Sequence, residues 1–536
     1  MTITIEYQCA DGTPFPVEFE SEEAAAKTWR FDRSHVTDPQ TPLSVELNRL
    51  GQPGVQRAFE ECGLPGPPGW GPGLTPFGFA YGTPNAPEGA ELESFVEGCR
   101  VLIEKYGGAG GIWTDLNLPI VRRECEWLSD AGPEATLGEL AQRQQYAWAH
   151  TMVSILVSGN DITLLAAAIK DLYGDDAELA AYELTQGYPN ETVRADAQMW
   201  RLGRTVRTSN RLREALASST PREAMAEART AGKEPEFFAA LDEFLALYGR
   251  RAEEWDISAP TWQEQGDGFW AQIRQMTRDD VASPDEVLAH GVQRRDQLIA
   301  EIDGRLADEE SRARFHRRVG RLTSYVAVRE ERALWQLIST GELRGALLRR
   351  GTALVDGGVL AAADDILYLS PDEIEAAEAG ASGAGGDDLA AVAKERREER
   401  ERWRKVDPPP VIGGETPIVG EVKPEVSSDG VLRGTAAARG VATGTARIVT
   451  HLEASDRVGP GDVLVCHMTS PPWTPLFAIA AAVVCEHGFA GSHAAIASRE
   501  YGIPCIGLPN ATTLIPDGAT VTVDGMAGTV KVVTGG

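Results

Sequence analysis

The sequence predicts a multidomain α+β protein, with a mostly α-helical N-terminal part followed by a small α/β domain. Residues 91–351 contain long segments rich in Ala, Leu, Arg and Glu, separated by Gly, Pro and Asn, which is typical of packed helices. Residues 411–430 are polar and contain Gly and Pro, which indicates a flexible tether. Beyond it, short apolar runs alternate with helical segments. We therefore predict domains at 1–410 and 431–536, joined by a tether at 411–430.

The N-terminal segment predicts a strand pair and a short helix. Residues 3–7 alternate between apolar and polar side chains, as in a half-buried strand, and residues 15–17 begin its partner. Residues 22–29 favour a helix. Asp32 and His35 then form either an acid–base pair or a hydrogen-bonded brace for the proline-rich turn that follows, and the residue types favour the brace.

Three further stretches of the N-terminal part have distinct compositions. Residues 63–76 are rich in Gly and Pro and predict a surface loop or lid that carries Trp70. Residues 364–370 predict a strand that enters a capped helix. Residues 394–405 contain many arginines, but oppositely charged residues lie four positions apart. This spacing predicts a solvated, self-neutralising helix rather than a nucleic-acid-binding segment.

The sequence of the last domain predicts five strands with two helices between them. The helices cover Trp473–Ala480 and Ser492–Tyr501. The strands cover Ala446–Val449, Asp462–Val465, Ala482–Val484, Thr520–Val523 and Thr529–Val532.

Composition narrows the class of protein. A formal net charge of −29 over 536 residues disfavours nucleic acid and anionic membrane surfaces as partners. The seven cysteines form no C-x-x-C pair, which favours a reduced compartment. The N-terminus lacks a signal-peptide pattern, and the apolar run Pro475–Cys485 is too short to span a bilayer. We therefore expect a cytoplasmic protein with no membrane partner.

The stretch Glu486–Pro504 carries the most specific chemistry in the chain. An apolar strand ends before it, Gly488 and Gly491 permit tight backbone geometry, and Ser492 is a good helix N-cap. His493 then lies in the first helical turn, where free N–H groups favour negative charge and lower the pKa of an imidazole. A neutral, nucleophilic histidine at this position is suited to carry a phosphoryl group.

Two other interpretations of these residues are open. A histidine at a helix start is more often a capping or packing residue than a catalytic one. Cys466, His467, Cys485 and His487 lie near His493 in sequence, but their spacing matches no tetrahedral zinc pattern. We therefore predict no metal on this chain.

The stretch Glu486–Pro504 resembles the signature of the phosphohistidine swivelling domain of PEP-utilising enzymes. The shared features are a glycine-rich loop, a small residue, a histidine followed by Ala-Ala-Ile, a helix and Gly-Ile-Pro. The resemblance extends upstream through Pro472–Leu476 and downstream through Asp524, Gly525 and Gly528, and so covers the last hundred residues or so. Phe489 departs from it, because the family usually has a second glycine there. The resemblance implies that His493 is the phosphorylated residue, held by Gly488, Gly491 and Ser492.

The helical part resembles the substrate domain of rifampicin phosphotransferase-like and phenylphosphate synthase-like proteins. Residues 248–262 match one motif, except that Arg250 replaces the usual histidine. Arg329 and Glu330 match the helix that faces the incoming phosphohistidine. Their implied roles are phosphate binding for Arg329 and general base for Glu330 or Glu331, although an ordinary ion pair on a helix surface would have the same composition.

The resemblance also implies a two-component enzyme. No glycine-rich nucleotide-binding segment of the ATP-grasp kind and no Walker A motif is visible in the sequence. We therefore expect ATP and Mg²⁺ to bind a separate ATP-grasp subunit, which phosphorylates His493 with release of AMP and phosphate. The phosphoryl group then passes to the hydroxyl of a small organic substrate, with a phenol as the expected acceptor.

Two alternatives remain at this point. One is a PEP-dependent phosphotransferase whose PEP-binding barrel lies on another chain. The other is a non-catalytic phosphocarrier or regulatory module whose helical part binds a partner protein.

Overall fold

The computed structural model describes residues 2–33, 36, 38–66, 73–83, 89–279, 281–380, 388–414 and 430–533. The predicted α+β class is confirmed, because helices dominate the chain up to Trp403 and a mixed sheet follows near the C-terminus. His35 and Trp70 lie outside the described residues, as do residues 415–429 of the predicted tether.

The first part of the chain contains two small β-structures and the first helices. Its elements are β1 (Ile3–Gln8), β2 (Pro14–Phe19), α1 (Glu22–Ala26), β3 (Trp29–Phe31), α2 (Pro42–Leu50), α3 (Gln52–Glu61), β4 (Tyr81–Gly82), α4 (Gly89–Tyr106), α5 (Ala109–Gly111), α6 (Leu118–Asp130) and α7 (Leu137–Tyr173).

The middle part is helical, as the sequence predicts. Its helices are α8 (Ala177–Glu183), α9 (Glu191–Thr208), α10 (Asn210–Leu216), α11 (Pro221–Thr230), α12 (Pro235–Tyr248), α13 (Asp267–Met276), α14 (Pro284–Arg305), α15 (Glu309–Val319), α16 (Leu322–Asp356), α17 (Pro371–Glu378) and α18 (Leu389–Trp403).

The last part contains most of the strands. They are β5 (Val411–Ile412), β6 (Val431–Arg433), β7 (Thr435–Ala438), β8 (Val441–Ile448), β9 (Val463–Cys466), β10 (Ala482–Cys485), β11 (Cys505–Gly507), β12 (Thr520–Asp524) and β13 (Thr529–Val533). Three helices interrupt them, namely α19 (Thr474–Phe477), α20 (His493–Tyr501) and α21 (Ala511–Leu514).

The chain divides into two compact units. The first contains Met1–Ser154, Glu254–Pro260 and Trp335–Val419, and the second contains Ile155–Glu253, Thr261–Leu334 and Gly420–Gly536. The predicted boundaries at 410 and 430 stay a prediction. Within the first unit, Val411 and Ile412 at the start of the predicted tether pair with β3.

The first unit contains the hairpin β1–β2 and the three-stranded sheet β4-β3-β5. Phe15 and Phe77 pack on Trp403 near the end of α18, with ring centroids 5.8 and 4.1 Å from it. The arginines of α18 bind other elements of this unit. Arg396 pairs with Glu373 at 2.7 Å and Arg404 with Asp38 at 2.7 Å. The helix predicted over 394–405 is confirmed as far as Trp403, where α18 ends. The prediction that its charges neutralise one another within the helix is wrong for these arginines, because long guanidinium side chains reach carboxylates far away in sequence.

The second unit is built on an eight-stranded sheet in the order β6-β13-β12-β8-β9-β10-β11-β7. Strands β8 to β11 run parallel to one another, and the remaining pairs are antiparallel. One continuous core joins this sheet to the helices before it, since Val483 and Ala495 share it with Met199, Phe244 and Trp270. Burial of these apolar side chains holds α20 against the helical segment.

The five predicted strands are confirmed. Strands β6, β7 and β11 were not predicted, because each contains a single β-branched residue and no aromatic one. The predicted strand at 364–370 is wrong. Residues Ala363–Tyr368 form a 3₁₀ helix, in which Asp365 accepts a hydrogen bond from the Ala362 N–H at 2.9 Å. The predicted helix cap is confirmed, because Ser370 and Glu373 form a capping box at the start of α17.

The predicted helix Trp473–Ala480 is shorter than expected. A 3₁₀ turn covers Pro471–Trp473, and α19 contains only Thr474–Phe477. Proline lacks an N–H group and is tolerated only in a first helical turn, so closely spaced prolines restrict the segment to short turns.

One stretch of the described residues, Leu137–Glu183, is long and apolar enough by length and composition to cross a membrane. The core helix of a soluble protein passes the same test, and 40% of the apolar window is buried inside the protein. Within the first unit, His150 of this stretch forms a buried hydrogen bond to Asn117 at 2.8 Å. A single stretch of this kind supports no membrane assignment.

Candidate active site around His493

His493 is the first residue of α20, directly after the N-cap Ser492. The Ser492 hydroxyl accepts a hydrogen bond from the Ala495 N–H at 3.3 Å. Gly502 ends the helix with a φ of 70°, a conformation that glycine adopts readily. The predicted order of strand, glycine loop and helix start is confirmed by β10 and α20.

Both glycines of the loop are required by close packing. A Cβ atom at Gly488 would lie 2.9 Å from Gly507 Cα, and one at Gly491 would lie 2.4 Å from the Tyr182 hydroxyl oxygen. Phe489 is 59% exposed, so the position where the family usually has a second glycine does not require one here.

The buried carboxylate of Glu486 stabilises the start of the glycine loop. Glu486 accepts hydrogen bonds from the Thr512 hydroxyl at 2.6 Å and from the Thr512 N–H at 3.0 Å, and its other oxygen lies 2.8 Å from His467 Nδ1. Burial raises the pKa of Glu486, but the hydrogen bonds from His467 and Thr512 outweigh it and bring the pKa to about 2. The carboxylate therefore stays ionised and fixes the loop that precedes His493.

Two threonines contact the two ring nitrogens of His493. Thr469 Oγ1 lies 2.9 Å from Nδ1, within ordinary hydrogen-bond distance, whereas Thr474 Oγ1 lies 3.5 Å from Nε2. Phe477 packs edge-on against the ring with a centroid distance of 6.0 Å. These contacts fix the ring plane and make Nε2 the less constrained nitrogen.

Two arginines of the helical segment lie at the histidine. Arg329, on α16, donates hydrogen bonds to the Gly491 carbonyl oxygen and, at 3.1 Å, to the Tyr325 hydroxyl. Arg251 is 2% exposed and stacks over Trp262 at 4.1 Å, and its Nε and Nη2 atoms have no hydrogen-bond partner among the described residues. A buried, unsatisfied guanidinium is costly, and such a group can receive the oxygens of an anion.

The surroundings keep the imidazole neutral. Burial first, and then the positive charges of Arg251 and Arg329, lower the pKa of His493 from 6.5 to about 3. The ring is therefore neutral at neutral pH: one nitrogen carries the ring proton and the other has a lone pair for nucleophilic attack.

A cavity with an empty volume of about 440 Å³, open solvent included, adjoins His493. Three carboxyl groups line it, from Asp196 on α9, Glu330 on α16 and Glu500 on α20. The rest of the wall is mainly apolar, with Val193, Val287, Ile496, Ala497 and Tyr501 among its residues.

Polar contacts anchor the C-terminal end of α20 to the helical segment. Glu500 accepts hydrogen bonds from the Gly187 N–H at 3.2 and 3.3 Å. Arg294 donates to the carbonyl oxygens of Arg499 and Glu500, both at 2.9 Å. In the β7–β8 turn, Arg439 pairs with Glu183 at 2.7 Å. The histidine helix is thus docked at both of its ends.

The structure brings His493, Arg329, Glu330, Gly488, Gly491 and Ser492 together, as the sequence predicts, although their roles stay predictions. Sequence reasoning missed Arg251, Asp196, Thr469 and Thr474 as site residues. Arg251 and Thr474 lie inside motifs that the sequence analysis used, and attention to every polar residue of those motifs would have found them. Asp196 lies on an ordinary helix and has no sequence signal. Within the described part of the chain, no group of three or more His, Cys, Asp or Glu residues is placed to hold a metal ion.

Comparisons with known proteins agree with this geometry. Residues 458–528 match the mobile domain of PEP-utilising enzymes. Residues 150–330 match the fourth domain of rifampicin phosphotransferase. The two matched regions contain His493 and Arg329, respectively, and they confirm the predicted resemblance at the level of these two domains. The more specific resemblance to a phenylphosphate synthase subunit stays a prediction.

Three relatives illustrate the range of similar proteins. A chondramide synthase of Chondromyces crocatus is 28% identical over 96% of this chain and 14% of its own length. An uncharacterized phosphotransferase of Bacillus subtilis (strain 168) is 28% identical over 69% of this chain and 45% of its own. A rifampicin phosphotransferase of Bacillus cereus is 29% identical over 55% of this chain and 34% of its own. The chain thus spans less than half the length of each of these relatives.

Proposed function

We propose that this chain is the carrier and acceptor component of a phosphotransferase, in which His493 carries the phosphoryl group. The observation that carries the proposal is a neutral histidine at a helix N-terminus, facing the guanidinium groups of Arg251 and Arg329. Similarity to proteins named phosphotransferases supports the same class of reaction.

The geometry supports phosphorylation on Nε2. In the proposed reaction Nδ1 carries the ring proton and donates it in a hydrogen bond to the Thr469 hydroxyl 2.9 Å away, while the lone pair of Nε2 attacks phosphorus. A phosphoryl group on Nε2 is dianionic, and positive charge from Arg251 and Arg329 stabilises it together with the N–H groups at the start of α20. Both arginines belong to the helical segment, so their charge acts when α20 is docked there.

The phosphoryl donor in this proposal is ATP, bound with Mg²⁺ on an ATP-grasp partner. On the partner, the β-phosphoryl group of ATP passes to His493 and AMP leaves, while water takes the γ-phosphoryl group, which is released as inorganic phosphate. The loaded histidine then docks on the helical segment, where the phosphoryl group passes in line to a hydroxyl of a small organic acceptor, with a phenol as the first candidate. Dividing the transfer into two steps through a covalent intermediate is ordinary nucleophilic catalysis.

A labelling experiment tests the carrier role. The protein is mixed with candidate ATP-grasp subunits and β-labelled ATP, and acid-labile, base-stable label is measured on the chain. We expect His493→Ala to abolish the label, because it removes the nucleophile. The control His290→Ala changes an exposed histidine and should retain the label.

Other outcomes separate the alternatives. If the His493→Ala variant retained the label, the proposal that His493 carries the phosphoryl group would be wrong. Label obtained from PEP and an extract, but from no ATP-grasp partner, would favour a PEP-dependent phosphotransferase. Stoichiometric labelling of His493 without transfer to any hydroxyl compound would favour a non-catalytic phosphocarrier.

A further inference from the structure

We propose that the cavity beside His493 binds an acceptor without negative charge and that Asp196 accepts the proton of its hydroxyl group. This inference rests on the proposed phosphotransfer through His493. It adds the residue that completes the second half-reaction and the charge class of the acceptor.

Asp196 differs from the other two carboxyl groups of the cavity. Glu500 is occupied by the hydrogen bonds from the Gly187 N–H. Glu330 accepts a hydrogen bond from the Thr192 hydroxyl at 2.7 Å and lies 3.9 Å from Arg329 Nε. Asp196 is 5% exposed, lines the cavity and forms no hydrogen bond with any described residue. A buried carboxyl group with open lone pairs is suited to receive a proton from a bound ligand.

Charged and titratable neighbours set the basicity of Asp196. Burial raises its pKa, Arg251 lowers it and Glu330 raises it, and the net value is about 7. Burial first, and then the charges of Asp196 and Glu500, raise the pKa of the nearby Tyr501 phenol. A base whose pKa lies near the working pH is the most effective at removing a hydroxyl proton. Asp196 therefore suits the role that the family resemblance implied for Glu330 or Glu331.

Charge in the cavity selects the acceptor. Three carboxyl groups line the space, whereas Arg251 and Arg329 are not among the residues that line it. Burial raises the pKa of Asp196 and of Glu500 to about 7, so both are partly ionised at neutral pH. Together with Glu330 they would repel an acceptor with a carboxylate or phosphate of its own, but not an uncharged or cationic one. The apolar side chains of Val193, Val287 and Ile496 suit an aryl or alkyl body.

The transfer step balances in atoms and charge. The acceptor oxygen forms a bond to phosphorus, the bond from phosphorus to His493 Nε2 breaks, and its electron pair returns to that nitrogen. The hydroxyl proton moves to the Asp196 carboxylate. The imidazole leaves as a neutral ring because its other proton stays on Nδ1, beside Thr469.

A single-turnover experiment tests the proton acceptor separately from loading. His493 is first phosphorylated with label, either by the donor that the labelling experiment identifies or chemically with phosphoramidate. The His493→Ala variant, treated in the same way, gives the background label. Loss of label is then followed after addition of phenol. We expect Asp196→Asn to load normally and to transfer about 10²- to 10⁴-fold more slowly, the usual contribution of a general base. The control Asp242→Asn changes an exposed carboxyl group on α12 and is expected to transfer at the wild-type rate.

The pH profile and the acidity of the acceptor separate a base from a structural residue. Wild-type transfer should rise with pH through about 7, as Asp196 ionises, and this rise should vanish in Asp196→Asn. Glu330→Gln should keep the rise but move it to lower pH, because the negative charge of Glu330 raises the pKa of Asp196. The acidic acceptor 4-nitrophenol should restore much of the rate in Asp196→Asn, because it needs little help to lose its proton, and this rescue also shows that the variant is folded.

The last experiment varies the charge of the acceptor. Phenol and the cationic tyramine should accept the phosphoryl group, and 4-hydroxybenzoate should not. Equal rates for all three, or a wild-type rate and pH profile in Asp196→Asn, would overturn this inference while leaving the carrier role intact. Absence of any label on His493 would overturn the proposed function instead.

Discussion

At the residue scale, a single environment decides what His493 can do. A helix N-terminus and two guanidinium groups disfavour a positive charge on the ring, and the same groups favour the charge of a phosphoryl group. The features that lower the pKa of the imidazole would therefore also stabilise the phosphorylated form. An ordinary capping histidine needs neither arginine.

The titration of His493 follows from this environment. With a pKa of about 3, the ring should stay neutral from pH 5 to pH 8. Nuclear magnetic resonance of ¹³C-labelled histidine measures this directly, and His493→Gln identifies the signal. Arg251→Met keeps the packing over Trp262 but removes a positive charge, so the pKa should rise. Arg321→Met, at an exposed site, is the control and should leave it unchanged. A wild-type pKa near 6.5 would contradict this electrostatic account.

Arg329 should act in transfer rather than in loading. Because it contacts the Gly491 carbonyl oxygen only when α20 is docked on the helical segment, Arg329→Ala should accept label at the normal rate. Transfer to the acceptor should slow by about 10²- to 10³-fold, as on removal of one charge-stabilising donor. Rapid-quench measurement of both steps tests this.

Two further variants sharpen the Arg329 experiment. Arg329→Lys keeps the charge but loses the planar fork, so it should recover only part of the rate. The control Arg321→Ala should behave as the wild type. A defect confined to loading in Arg329→Ala would place this arginine elsewhere in the cycle.

At the element scale, the glycine loop and α20 form the surface that docks. The start of α20 is held by Arg329 and Tyr182, and its end is held by Arg294 and the Gly187 N–H. Close approach at the loop is possible only because Gly491 has no side chain. The glycine is therefore explained by packing against a neighbouring helix as well as by loop geometry.

A double substitution tests this packing. Gly491→Ala places a methyl group 2.4 Å from the Tyr182 hydroxyl oxygen, so docking should weaken and transfer should slow about tenfold or more, with loading little changed. Tyr182→Phe removes that oxygen, and the double variant should regain part of the lost rate. Strictly additive effects of the two substitutions on the transfer rate would argue against the contact.

At the scale of the whole molecule, the second unit contains both matched domain regions in full or nearly so. The second unit consists of residues 155–253, 261–334 and 420–536. The two domain matches cover residues 150–330 and 458–528. The proposed carrier histidine and the proposed acceptor cavity thus lie within one compact unit, as a transfer step between them would require. The donor and the ATP-grasp partner remain proposals, since the chain spans less than half of the three relatives described above.

The sequence by itself determined the α+β class, the helical character of the middle part and the local structure around His493. These features depend on short-range physics: hydrophobic periodicity, an N-cap serine and glycines at a turn. Arg329 and Glu330 were found through resemblance to a family, because an Arg-Glu pair on a helix is otherwise an ordinary surface feature. The strand predicted at 364–370 failed because local capping by Asp365 and Ser370 competes with an apolar run.

Only the tertiary structure decided which polar groups meet. Asp196 and Arg251 are far from His493 in sequence. Nothing in the local pattern of Asp196 distinguishes it from other buried charges, and the motif that contains Arg251 does not show that its guanidinium group lies near the histidine. Helix α14 packs against both α9 and α20 and so holds Asp196 near the histidine, while Arg251 is buried over Trp262. Burial and neighbouring charge set the protonation state of a side chain, and both arise from contacts between distant parts of the chain.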